Sequence, residues 1–85
     1  MPSLIAQLEQ AILDLLAQRG PTKTICPSEA ARALAGPHKT DWHPLMEPAR
    51  TAARNLHAAG KIFVTQNGRP VDPASVKGPI RLRLR

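Results

Sequence analysis

Three observations predict an α+β fold in which helices are completed by a small antiparallel sheet. Two apolar stripes at helical spacing, with a short Ala-rich segment between them, occupy the chain as far as Gly60. A β-branched run, Lys61 to Gln66, and an apolar/basic alternation, Pro79 to Arg85, then show strand character. Between these runs stand turn formers such as Gly20-Pro21, Gly36-Pro37 and Asn67-Gly68. A chain of 85 residues predicts one domain, residues 1–85.

The first helix is carried by Leu4, Ile5, Leu8, Ile12, Leu15 and Leu16, with Gln7, Glu9, Gln10, Asp14 and Gln18 on the other side. Ser3 suits its N-cap, and Arg19-Gly20-Pro21 supplies a basic last turn and a stop. Thr22 to Ile25 is short and β-branched and predicts a brief strand. A second helix opens on Pro27, with Glu29 placed to fold back on the first amides and Cys26 at or beside the cap, and ends at Gly36-Pro37.

Gly36 to Asp41, containing His38 and Lys39, reads as a polar loop, and Asp41 can cap the next helix. The stripe Leu45, Met46, Ala49, Ala52, Ala53 and Leu56 predicts a third helix closed by Gly60. Pro48 predicts a short first turn, then a kink or restart near Glu47, with the regular part running from Pro48 to Ala59. Trp42 is expected to lock the loop onto the first helix. About a dozen residues rich in Pro and Gly separate the last two strands, which suits a wing rather than a tight hairpin. Helix, short strand, helix, helix, strand, wing, strand is the order of a winged helix-turn-helix.

Twelve Lys and Arg against six Asp and Glu give a net charge of +6. So strong a bias on so small a surface predicts a polyanionic partner, and a helix-turn-helix makes double-stranded DNA the expected one. On the third helix the residues off the apolar stripe are Arg50, Thr51, Arg54, Asn55 and His57, a set able to grip phosphates and base edges. Asn67, Arg69 and Lys77 in the wing, with Arg81, Arg83 and Arg85 on the last strand, are candidates for backbone contacts. Each has a plainer reading. The helix residues also suit a solvated face, and Arg81 and Arg83 also suit an edge strand that uses charge to prevent unwanted pairing.

Enzyme chemistry has little support. One cysteine rules out an internal disulfide, and Cys26, His38 and His43 match no familiar metal spacing. No Ser-His-Asp set, carboxylate pair or phosphate-cradling loop is present, so neither catalytic residues nor a cofactor are expected. The opening Met-Pro-Ser-Leu-Ile lacks the pattern of a signal peptide and no apolar run reaches membrane-span length, which predicts a cytoplasmic protein without a membrane partner. A DNA-binding module, as a regulator acting alone or as a dimer, is the leading functional expectation. The alternative is a protein-interaction adaptor on the same scaffold, since a fold does not fix a function.

Several strings also carry a family likeness. Thr24-Ile25-Cys26-Pro27-Ser28-Glu29 with Ala31-Arg32-Ala33-Leu34, Trp42-His43-Pro44-Leu45-Met46, Arg50 and Arg54, Ala59-Gly60-Lys61-Ile62, Val64-Thr65-Gln66 with Gly68, Val71-Asp72-Pro73 and Lys77-Gly78-Pro79-Ile80-Arg81-Leu82 resemble small bacterial proteins catalogued as a domain of unknown function. That resemblance implies a winged-helix-like fold and assigns no activity. It also draws attention to Thr65, Gln66, Asp72 and Lys77. They are expected to fix the wing internally, with Asp72 answering Lys77 or an arginine, a small-ligand pocket being the other reading.

Overall fold

The computed structural model describes residues 2–36 and 41–85. The expected polar loop with His38 and Lys39 therefore lies mostly outside the described residues. The elements are α1 (Leu4–Arg19), β1 (Thr24–Ile25), α2 (Pro27–Ala35), a 3-10 turn (His43–Leu45), α3 (Met46–Ala58), β2 (Ile62–Gln66), β3 (Arg69–Pro70) and β4 (Arg81–Leu84). All strand pairs are antiparallel, in the order β1-β4-β2-β3. This is the winged helix-turn-helix arrangement, three helices against one face of a small sheet.

Each helix ends where its sequence requires. Ser3 Oγ accepts from the Ala6 N–H at 3.1 Å at the start of α1. At the start of α2 the Glu29 carboxylate accepts the Cys26 N–H at 2.8 Å, and it is also paired with Arg19 from the end of α1. The chain leaves α3 through a Schellman motif: Lys61 N–H donates to Leu56 C=O at 2.9 Å and Gly60 N–H to His57 C=O at 3.0 Å.

The short turn and restart expected around Pro48 are present: the 3-10 turn His43–Leu45 is followed by a new helix that starts one residue before Glu47. α3 begins at Met46, directly after the 3-10 turn, and runs through Pro48 as a regular helix. Pro48 is then its third residue, where the backbone N–H has no intrahelical partner to lose. Asp41 does cap the entry, accepting the His43 N–H at 3.0 Å. Trp42, expected to lock onto the first helix, packs against the core; its ring also carries the Arg32 guanidinium of α2 at 4.4 Å and stacks on His43 at 4.2 Å, which fastens the entry to the 3-10 turn to α2.

The core lies between the helices and the inner face of the sheet. Leu8, Ile12 and Leu16 from α1, Ile25 from β1, Ile62 and Val64 from β2, and Leu82 from β4 supply its bulk. From α2 and α3 come mainly Ala30, Ala31, Ala49, Ala52 and Ala53, with Leu56. Small side chains let these two helices approach closely. Each large aliphatic contributes about 1.5–3 kcal/mol on burial.

The sheet contains one element that sequence reading did not separate. β2 turns at Asn67 (φ 54) and Gly68 (φ 79), both in the left-handed region, and returns as β3 with Gln66 opposite Arg69 and Thr65 opposite Pro70. The predicted wing thus begins with a tight hairpin. Pro70 can sit in β3 because β3 is the outer strand there. β4, by contrast, is not an edge. It lies between β1 and β2, pairing Thr24 with Arg83 on one side and Phe63 with Arg83 on the other. Protection of an exposed edge therefore does not account for Arg83, whereas Arg81 pairs with Thr65 on one side and lies past the end of the β1 pairing on the other.

Two measurements bear on these contacts. Leu82→Ala removes a fully buried side chain from the middle of the sheet, and urea denaturation should show a loss of about 2–5 kcal/mol. The second concerns acid. Partial burial raises the Glu29 pKa, but the Cys26 N–H and the Arg19 guanidinium outweigh it and hold the carboxyl below its ordinary value. Because the folded pKa is the lower one, this stabilisation is full above the unfolded pKa and is lost as pH falls through the folded one. Glu29→Gln should cost about 1 kcal/mol at neutral pH, and its gap from the parent should close below about pH 4.

Candidate functional site

α3 exposes Arg50 and Arg54 because its opposite face, Ala49, Ala52, Ala53 and Leu56, is buried. Four residues apart, the two arginines share one side of the helix. That side is met by the segment following β3. Arg50, Arg54, Pro73, Val76, Gly78 and Ile80 line one small cleft. Arg50 also borders a larger cavity of about 320 Å³ shared with Cys26, Pro27, Ser28, Met46, Gly78, Pro79 and Ile80. The start of α2, the exposed face of α3 and the wing therefore meet around one guanidinium. Among the described residues Arg50 has neither a salt bridge nor a side-chain hydrogen bond, whereas Arg54 donates to Thr51 Oγ1 at 3.0 Å.

Beyond the β2–β3 hairpin, one amide ties the returning end of the wing to β2. Gln66 Nε2 donates to the carbonyls of Lys77 at 2.6 Å and Pro79 at 3.1 Å. A Cβ at Gly78 would come within 3.3 Å of that nitrogen, and its φ of +90° is unfavourable for other residues, so glycine suits the close approach. Thr65 Oγ1 adds a long contact to the Arg81 carbonyl at 3.4 Å. Asp72 takes a different part from the expected one. Its carboxylate accepts the Ala74 N–H at 2.9 Å and its carbonyl accepts from Ser75 and Val76, so it folds its own turn instead of answering Lys77 or an arginine.

The expected contact residues fall into separate groups. Arg50, Thr51 and Arg54 belong to the helix side. Arg69, directly across from Gln66, shares its face of the sheet, and Gln66 reaches the Lys77 backbone there. Asn67 forms the exposed hairpin tip. Asn55 is diverted, donating to Glu9 Oε2 of α1 at 3.3 Å. His57 is half-buried, and its carbonyl takes part in the helix-ending motif.

Arg81 and Arg83 lie on the other face of the sheet, opposite to buried Leu82. Arg81 donates through Nε to Thr24 Oγ1 at 3.0 Å and through Nη2 to the Thr24 carbonyl at 3.1 Å. The Arg83 guanidinium lies 5.1 Å from the centre of the Phe63 ring, and that of Arg85 lies 5.5 Å from it. The Arg83 Nε is buried without a hydrogen-bond partner. Sequence reading placed the residue types correctly but joined two faces into one. Strand alternation marks a change of face, yet only the pairing shows which elements each face meets.

Cys26 is half-buried, with Sγ 2.9 Å from Ser28 Oγ. Among the described residues no group of three or more His, Cys, Asp or Glu is placed to hold a metal. Nor is any described helix long and apolar enough to cross a membrane. No curated protein matches the sequence. Residues 5–85, which include every strand and nearly all of the helical residues described above, match the family described as Protein of unknown function (DUF3253), and the chain belongs to that family.

Proposed function

We propose that the protein binds double-stranded DNA through the exposed face of α3 and the adjoining wing. The observation that carries this reading is the meeting of Arg50 and Arg54 with the wing along one cleft. A helix-turn-helix presents the second helix of the motif to the major groove, and here that helix is α3. Arg50 and Arg54 supply bidentate donors suited to guanine edges or phosphates. Arg69 and Lys77, both exposed, add charge from the wing for backbone contacts that set register. Thr51 is engaged by Arg54 and Asn55 by Glu9, so sequence discrimination rests on the two arginines. Such a domain would serve as a small transcriptional regulator.

An adaptor reading draws on a different feature, a groove of about 660 Å³ along α1 and α2 lined by Ala6, Ala11, Leu15, Ala33 and Leu34 among others. It requires no affinity for nucleic acid.

Titration of a mixed pool of short duplexes separates the two. Four helix-side cations predict a log–log salt slope of about −3 to −4. Arg50→Ala/Arg54→Ala should weaken binding at least tenfold and flatten the slope by about 2. Equal binding by parent and variant rules out α3 as the reading element, and no binding at low salt rules out the DNA reading altogether.

A further inference from the structure

The outer face of the sheet is cationic for a reason that the helix-side site does not supply. Arg81, Arg83 and Arg85 alternate with core residues, so their side chains rise from the face that no helix covers. Edge protection does not explain Arg83, which is paired on both sides. None of the six acidic residues lies in a strand: Glu9 and Asp14 are in α1, Glu29 in α2, Asp41 before the 3-10 turn, Glu47 in α3 and Asp72 in the wing. The arginines are thus gathered on a sheet that has no acidic side chain to neutralise them.

The arrangement is also ordered. Thr24 fixes Arg81 through two hydrogen bonds, and Phe63 gathers the guanidiniums of Arg83 and Arg85 over its ring. Among the described residues neither Arg83 nor Arg85 makes a side-chain hydrogen bond or a salt bridge. Phe63 holds both guanidiniums in place; the Arg83 Nε is buried, so its terminal nitrogens and the guanidinium of exposed Arg85 are the donors left for an anion. Along β4 the arginines repeat every second residue, about 7 Å apart, a spacing close to that of successive phosphates on a nucleic-acid strand. With Phe63 occupied by arginine, the face suits a phosphate backbone better than a stacked base.

We propose that this face is a second DNA-backbone site, so that one copy of the domain holds two duplexes, one on α3 and the wing and the other on the outer sheet. The proposal rests on the helix-side reading above. The helix-side residues Arg50, Arg54, Arg69 and Lys77 and the sheet residues Arg81, Arg83 and Arg85 share no member, and the sheet itself stands between the two surfaces. The domain measures 34 × 26 × 23 Å, so each surface covers at most about one helical turn of DNA. The outer site lacks a groove-reading helix and binds without regard to sequence.

The test is capture of a second duplex. The full chain is bound to a bead-tethered duplex at about 50 mM salt, a labelled free duplex is added, and its retention is measured while a sizing column reports the oligomeric state. The parent monomer should retain the labelled duplex. Arg83→Gln/Arg85→Gln should lower retention at least tenfold while changing affinity for a single duplex by less than about threefold, and Arg83→Lys/Arg85→Lys should restore much of it. If the double Gln variant loses its helical circular dichroism, Arg85→Gln alone serves, since this exposed side chain makes no hydrogen bond and rests only on Phe63 and beside Gly60.

Retention that survives loss of the sheet arginines overturns the second site and leaves the helix-side reading standing, as does a parent that binds one duplex but never two. If single-duplex binding is lost with Arg83→Gln/Arg85→Gln yet kept with Arg50→Ala/Arg54→Ala, the helix-side reading falls. The two-duplex proposal falls with it, because only one site then remains.

Discussion

The structure depends on the pairing of β4 with strands on both sides. Ile25 and Val64 flank Leu82 across the sheet, and all three are buried against the helices. Without β4 the two-residue β1 has no strand to pair with, and β2 keeps only the short hairpin to β3. Thr24 and Arg83 are far apart in sequence, so closing this pair costs loop entropy that neither strand offsets alone. The compensation comes from α1, whose Leu8, Ile12 and Leu16 cover the inner face once the strands are in place. Helices joined by local turns can form early, while the sheet must wait for its most distant partner.

Much of this was legible because local chemistry and global packing agree. Ser3, Glu29, Gly60 and the Asn67-Gly68 turn each announce a boundary, and the structure has a boundary at each. Pro48 signals the break between the 3-10 turn and α3 but not its exact place: proline disrupts a helix interior, and the start at Met46 decides that residue 48 is not interior. A shift of two residues turns a breaker into an acceptable first-turn residue. The two-residue β3 was too short to show a period, and the separation of β4 from the sheet edge depends on β1, whose partner cannot be read from Thr24 and Ile25 alone.

The candidate site shows the same division. The arginines were evident as residue types, and the face of α3 followed from helical spacing. What sequence could not show was which wing atoms meet that face, or that Asn55 is drawn to Glu9 and Arg81 to Thr24. These are contacts between residues 46 and 57 positions apart. Spacing within an element says nothing about such pairs. The lack of acidic residues in the strands was readable from residues 22–25, 61–66 and 79–85, but the central place of β4, which sets Arg83 between two neighbours, was not.

One amide has a consequence for how the wing meets anything at all. Because Gln66 holds the carbonyls of Lys77 and Pro79, the segment that borders Arg50 is shaped before contact. Its loss of conformational freedom belongs to folding and need not be repeated on docking. If the wing binds as proposed, a partner meets a surface already shaped by these hydrogen bonds, and association needs little rearrangement there. A single uncharged side chain in β2 thereby sets, ahead of any encounter, the shape of the wing beside Arg50.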